Sequence, residues 1–130
     1  MKILIAEDDM TSRKFLFRLL ARFGDCDLVV DGMEAIDAVL LANKDKRPYD
    51  LICLDIMMPK VDGVQVLRSI RDFEKHQEPQ GEHRSIILMT TALSDAQLVQ
   101  EAFAQGCDAY AAKPLDTAKM LEVLENFKLI

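Results

Sequence analysis

The sequence predicts an α/β fold: a five-stranded parallel sheet with helices packed on both faces. Five short apolar runs alternate with five helical patterns along the chain, and regular alternation of that kind builds a parallel sheet. The third run, Leu51-Ile52-Cys53-Leu54, is apolar without a break, as a strand covered on both faces must be. It stops at one carboxylate, Asp55. Glu7-Asp8-Asp9, Thr90-Thr91 and Lys113-Pro114 also close apolar runs. Ligands of open α/β sheets bind beyond the carboxyl ends of the strands, so these residues are expected at one edge.

The elements follow in order. Residues 2–6 form the first strand. Leu16, Leu19, Leu20 and Phe23 stand at i, i+3, i+4 and i+7, one face of a helix, and Gly24 is placed to stop that helix in the left-handed conformation. Residues 27–30 give the second strand. Asp31 and Glu34 make a capping box for a helix that buries Ile36, Val39 and Leu40. Residues 43–49 form a polar turn containing Pro48. After the third strand, Pro59 and Gly63 bracket a loop, and a third helix spans 64–73 with Val66, Ile70 and Phe73 on one face. Residues 74–84 are polar and charged, with Pro79 and Gly81, and read as an exposed, mobile loop. Residues 86–91 form the fourth strand. Ser94 and Gln97 cap a fourth helix that Gly106 ends. Residues 109–112 are the fifth strand, and Met120, Val123, Leu124 and Phe127 mark the last helix. Residues 1–130 make one domain, with no linker or repeat.

The net charge of −6 argues against non-specific binding to nucleic acid or to an anionic membrane. Cys26, Cys53 and Cys107 lack metal-ligand spacing. Cys26 and Cys53 read as small core residues of a reducing compartment. Met1-Lys2-Ile3-Leu4 leads straight into a strand, and no stretch is long and apolar enough to span a membrane, so a cytoplasmic protein is expected.

Glu7, Asp8 and Asp55 are expected to share one pocket. Two carboxylates 4 Å apart repel by about 4 kcal/mol at an effective dielectric of 20, so the cluster must protonate or bind a cation. Hard oxygen ligands with room for water suit Mg²⁺. Lys113 adds a positive charge and Thr91 a hydroxyl, with Thr90 as the alternative. Such a set suits in-line phosphoryl transfer, with Asp55 as the nucleophile. Asp9 reads as a helix cap. His76, His83 and Arg13 are expected to face solvent.

Ile3-Leu4-Ile5-Ala6-Glu7-Asp8-Asp9, Leu54-Asp55-Ile56-Met57-Met58-Pro59-Lys60-Val61-Asp62-Gly63, Thr91-Ala92 and Tyr110-Ala111-Ala112-Lys113-Pro114 occur in that order. Together they resemble the receiver domain of response regulators in two-component signalling, of the single-domain type seen in chemotaxis, over essentially the whole chain. The resemblance implies a flavodoxin-like three-layer sandwich. It implies that Asp55 is phosphorylated, that Asp8 ligates Mg²⁺ directly and Glu7 through water, and that the carbonyl of Met57 completes the protein ligands. Thr91 matches the hydroxyl that moves toward the phosphoryl group, Lys113 the lysine that pairs with it, and Tyr110 the aromatic switch. Lys113-Pro114 is expected to be cis. Met57 stands where a polar side chain is often found.

The implied function is a stand-alone response regulator. It accepts a phosphoryl group from a sensor histidine kinase or a histidine phosphotransfer protein and signals to a target protein by conformational change. It catalyses no reaction beyond its own phosphorylation and dephosphorylation, and is a monomer or a phosphorylation-dependent dimer. The alternative is a phosphorelay intermediate or phosphate sink. A haloacid-dehalogenase-type phosphatase needs a second Asp where Met57 stands. A flavin-binding protein needs a phosphate-binding loop after the first strand, where Glu7-Asp8-Asp9 would repel phosphate.

Overall fold

The computed structural model describes residues 1–77, 83–92 and 96–130. Strands β1 (Lys2–Ala6), β2 (Asp25–Val29), β3 (Leu51–Asp55), β4 (Ile86–Thr91) and β5 (Ala109–Ala112) alternate with helices α1 (Met10–Leu20), α2 (Gly32–Lys44), α3 (Gly63–Lys75), α4 (Ala96–Ala104) and α5 (Thr117–Asn126). The strands are parallel and lie in the order β2-β1-β3-β4-β5. The expected flavodoxin-like α/β architecture is therefore present.

The period-two rule divides the strand side chains between two cores. Leu4, Ala6, Ile52, Leu54, Ile87 and Met89 pack with α2, α3 and α4. Ile3, Ile5, Leu51, Cys53 and Leu88 pack with α1 and α5. The three central strands are thus apolar on both faces, which explains their unbroken runs. Chain order reverses between β1 and β3, and the crevice at their carboxyl ends is where such sheets hold ligands.

Asp9, Asp31, Asp62 and Asp116 each accept an N–H of the first helical turn, from Ser12, Glu34, Gln65 and Ala118. Glu34 completes its box from the other side by accepting the Val30 N–H. Gly106 ends α4 at φ +105°, with Cys107 N–H bonded to the Ala102 carbonyl, the left-handed termination its sequence position suggests. The Ser94 cap lies outside the described residues. Among the described residues no helix is long and apolar enough to cross a membrane, and all three cysteines are free thiols.

Several sequence expectations are corrected. Helix α1 ends at Leu20 with right-handed Ala21 as its cap, so Phe23 and Gly24 lie beyond it. Gly24 instead gives the amino terminus room. A Cβ there would collide with the Met1 carbonyl, which accepts the Asp25 N–H and starts β2 two residues early. Helix α2 continues through Asn43 to Lys44 and buries Ala35, Val39 and Ala42, while Leu40 is exposed and Ile36 half-buried. Small residues occupy the face pressed on the sheet, which turns the leucines outward. Phe73 is only half-buried.

Glu74 is not in a loop. It is buried in the last turn of α3 beside Arg71. The Arg71 guanidinium donates to Glu74 Oε1 at 2.7 Å, to Asp108 Oδ2 at 2.9 Å, and to the carbonyls of Ser85 and Gly106. Glu74 Oε2 accepts the Ser85 N–H, and Asp108 accepts Arg84 and the Ile87 N–H. His83 is also drawn in, its ring bonding the Tyr49 carbonyl at 2.8 Å. His76, by contrast, is exposed, as expected. Residues 78–82 of the expected loop lie outside the described residues. This cluster sits at the amino ends of β4 and β5.

Candidate functional site

At the opposite edge, strand parity sets the site. Asp55 ends β3 on the face of Cys53, and Glu7 follows β1 on the face of Ile5, so both side chains lie on the α1–α5 side of the sheet. Asp8 comes next in the turn toward α1. Ligand oxygens of Glu7, Asp8 and Asp55 lie within 4.8 Å of one another. Glu7 and Asp55 are buried and Asp8 is exposed, so the cluster is open to water on one side only.

Lys113 reaches the same point from beyond β5. Its Nζ lies 2.7 Å from Glu7 Oε1 and 3.3 Å from Asp55 Oδ2. The peptide bond Lys113-Pro114 is cis, as the family pattern implies. The formal sum of three carboxylates and one ammonium is −2, and no other cationic side chain is paired with these carboxylates among the described residues.

The electrostatic consequence appears at Asp55. Burial raises its pKa, and the hydrogen bond and charge of Glu7 raise it further. Lys113 and the Met57 N–H, 3.1 Å from Oδ1, pull the other way without cancelling the rise. Burial works against the Lys113 charge, but Glu7 and Asp55 outweigh it and its pKa is raised. Burial and Glu7 together thus oppose ionisation of Asp55. A divalent cation would remove that conflict. The donor set of hard oxygens with one wet side fits Mg²⁺ or Ca²⁺ rather than a thiophilic metal.

The loops holding these groups are fixed by main-chain contacts. Arg13, expected in solvent, instead donates to the carbonyls of Glu7 at 3.0 Å and Asp8 at 3.3 Å. Its sequence position holds the signal: helical side chains lean toward the N-terminus, and Arg13 stands one turn after the Asp9 cap. After Asp55 the chain folds back so tightly that a Cβ on Gly63 would collide with the Asp55 carbonyl, while the Gly63 N–H bonds the Ile56 carbonyl at 2.8 Å. Gly63 is thus more than the loop bracket its sequence position suggests. The Met57 side chain is exposed.

Thr91 ends β4 with its carbonyl accepting the Lys113 N–H at 2.8 Å. Its parity is that of Ile87 and Met89, so its buried side chain lies on the other face from Asp55. Tyr110 pairs with Met89, and Ala112 with Thr91. Thr91 and Tyr110 therefore share the α4 side. The Tyr110 ring is exposed and meets Phe103 of α4 edge to face, 6.2 Å between centroids. The structure thus gathers Glu7, Asp8, Asp55 and Lys113 at one point, with Thr91 at the same edge and Tyr110 two pairs back from it.

Comparison with known proteins agrees with this geometry. Residues 3–125 match the family model described as the response regulator receiver domain. The chain is 32% identical to the chemotaxis protein CheY of Treponema pallidum, over 93% of this chain and 78% of that protein. It is 31% identical to a probable histidine kinase 1 of Oryza sativa, over 97% of this chain but only 15% of the kinase. A chain in the CheX–CheY–BeF3–Mg²⁺ complex from Borrelia burgdorferi superposes with a TM-score of 0.79 at 32% identity, covering 98% of this chain and 89% of that one. The receiver domain of a sensor histidine kinase from Pseudomonas aeruginosa, with magnesium in its active-site cleft, superposes with a TM-score of 0.75 at 26% identity, covering 96% and 94%. On its motifs, its strand order and the match of nearly its whole length, the chain belongs to the response regulator receiver domains of two-component signalling.

Proposed function

We propose that this chain is a stand-alone, cytoplasmic response regulator that accepts a phosphoryl group on Asp55, with Mg²⁺, from a sensor histidine kinase or histidine phosphotransfer protein. The observation that supports this most is the convergence of Glu7, Asp8, Asp55 and Lys113 with a surplus of negative charge. A site with no cation to receive gains nothing from that surplus.

In the proposed reaction an Asp55 carboxylate oxygen attacks phosphorus in line. The P–N bond of the phosphohistidine donor breaks, its electron pair stays on the imidazole, and an acyl phosphate forms. Asp8, Asp55 and the Met57 carbonyl would hold Mg²⁺ directly and Glu7 through water, and the bound ion would supply positive charge to the phosphoryl oxygens. Lys113 pairs with a phosphoryl oxygen once its carboxylates are engaged. The Thr91 hydroxyl supplies a further donor. Drawing it inward opens space on the α4 side, which the exposed Tyr110 ring fills, and α4, β5 and α5 are presented differently to a target. The phosphoryl group need favour that packing by only a few kcal/mol. The chain is a phosphoacceptor whose only reactions are its own phosphorylation and dephosphorylation.

The test is acetyl phosphate labelling followed by mass spectrometry. Asp55 should be labelled with Mg²⁺ and unlabelled after chelation, and Asp55→Asn should lose the label. Undiminished labelling of Asp55→Asn would overturn the assignment. In the same protein, beryllofluoride should shift amide resonances across residues 92–118. Shifts confined to the Asp55 loop would remove the switch and leave the phosphoacceptor.

A further inference from the structure

Thr90 stands beside the site, and its side chain has no partner. Its hydroxyl oxygen is buried without a hydrogen bond, and its main chain pairs with Asp55 on one side and Ala111 on the other. Its parity is that of Leu88, so it lies on the α1–α5 face with Asp55 and Glu7. A buried unpaired hydroxyl is costly to leave so, and a valine would fill the same space without that cost. Packing alone gives no reason for the oxygen.

The course of Lys113 gives one. Neighbouring strands lie about 4.8 Å apart, so a side chain rooted beyond β5 that contacts carboxylates of β3 and β1 must cross β4. On that face and at the level of Asp55, the β4 residue is Thr90, and the β5 residue beside it is the small Ala111. The Lys113 ammonium has three donors. It meets Glu7 Oε1 and Asp55 Oδ2, and both residues are candidate cation ligands.

We propose that Thr90 is a positioning residue of this site: its hydroxyl oxygen receives the Lys113 ammonium when a divalent cation takes over Glu7 and Asp55. The inference rests on the cation-binding part of the function proposed above. Thr90 keeps the displaced ammonium paired and near Asp55, ready for an incoming phosphoryl group. It acts through Lys113, on the opposite face from Thr91, and is a separate element from the Thr91 switch.

The experiment titrates Mg²⁺ alone against thermal stability in the wild type, Thr90→Val and Thr90→Ser. Without Mg²⁺, Thr90→Val should melt at or above the wild-type temperature, because it loses an unpaired hydroxyl. Its Mg²⁺ midpoint should rise about tenfold, the scale of one lost hydrogen bond to a charged group. Thr90→Ser keeps the oxygen and should stay within about twofold of the wild type on the same scale. A merely structural Thr90 would move the metal-free melting temperature and leave the midpoint alone. An unchanged midpoint in Thr90→Val overturns the proposal while the cation site stands. A wild type indifferent to Mg²⁺ overturns both.

Discussion

Two charged clusters occupy opposite ends of one sheet, and they are built differently. At the amino ends of β4 and β5, Arg71 and Arg84 face Glu74 and Asp108, and the formal charges cancel. Each carboxylate oxygen there has a donor, and Arg71 donates four hydrogen bonds. At the carboxyl ends of β1 and β3, three carboxylates face one ammonium, and Asp55 resists ionisation. The first cluster is neutral and fully paired, as buried carboxylates must be. The second is open on one side and in deficit of positive charge. Burial of charge alone therefore does not mark a functional site. Burial together with an unbalanced sum makes a candidate for one.

The largest expected effect belongs to the balanced cluster. Arg71→Leu leaves Glu74 buried without its cation and Asp108 with Arg84 alone, and removing one partner of a buried pair costs about 3–5 kcal/mol. Urea unfolding should show that loss, while Mg²⁺ should still stabilise the folded variant. A neutral Arg71→Leu would mean the cluster is solvated and the contrast between the ends is empty.

The same contrast separates what is legible in the sequence from what is not. Asp55, Glu7 and Lys113 are legible because each ends an apolar run, and a parallel sheet delivers all such ends to one edge. Glu74 is not, because it precedes Pro79 and Gly81 and looks like the start of a loop. What buries it is Arg71, which is held in turn by Asp108, 37 residues away, a pairing no local pattern announces. Leu40 misleads for a related reason. Period alone does not say that alanines, not leucines, take the face pressed closest to the sheet. Arg13 and Thr90 are within reach, since helix lean and strand parity place both once the strand ends are known.

A smaller effect belongs to the open cluster. Mg²⁺ at ten times its dissociation constant should stabilise the wild type by about 1.4 kcal/mol through linkage. Asp8→Asn should blunt that gain, because it removes a ligand and part of the surplus charge. Thermal melts with and without Mg²⁺ check this. An undiminished gain in Asp8→Asn would show that the ion binds elsewhere.

Charge is balanced at one end of the sheet and unbalanced at the other. That difference is tested most directly by removing one negative charge from each end in metal-free buffer. Asp55→Asn relieves repulsion and should raise the unfolding free energy by about 0.5–2 kcal/mol, the range common for a single stabilising substitution. Asp108→Asn breaks a balanced buried pair and should lower it by about 3 kcal/mol or more. Opposite signs are the predicted result. A loss of stability in both variants would contradict the account, because the acidic edge would then be a structural cluster like the other.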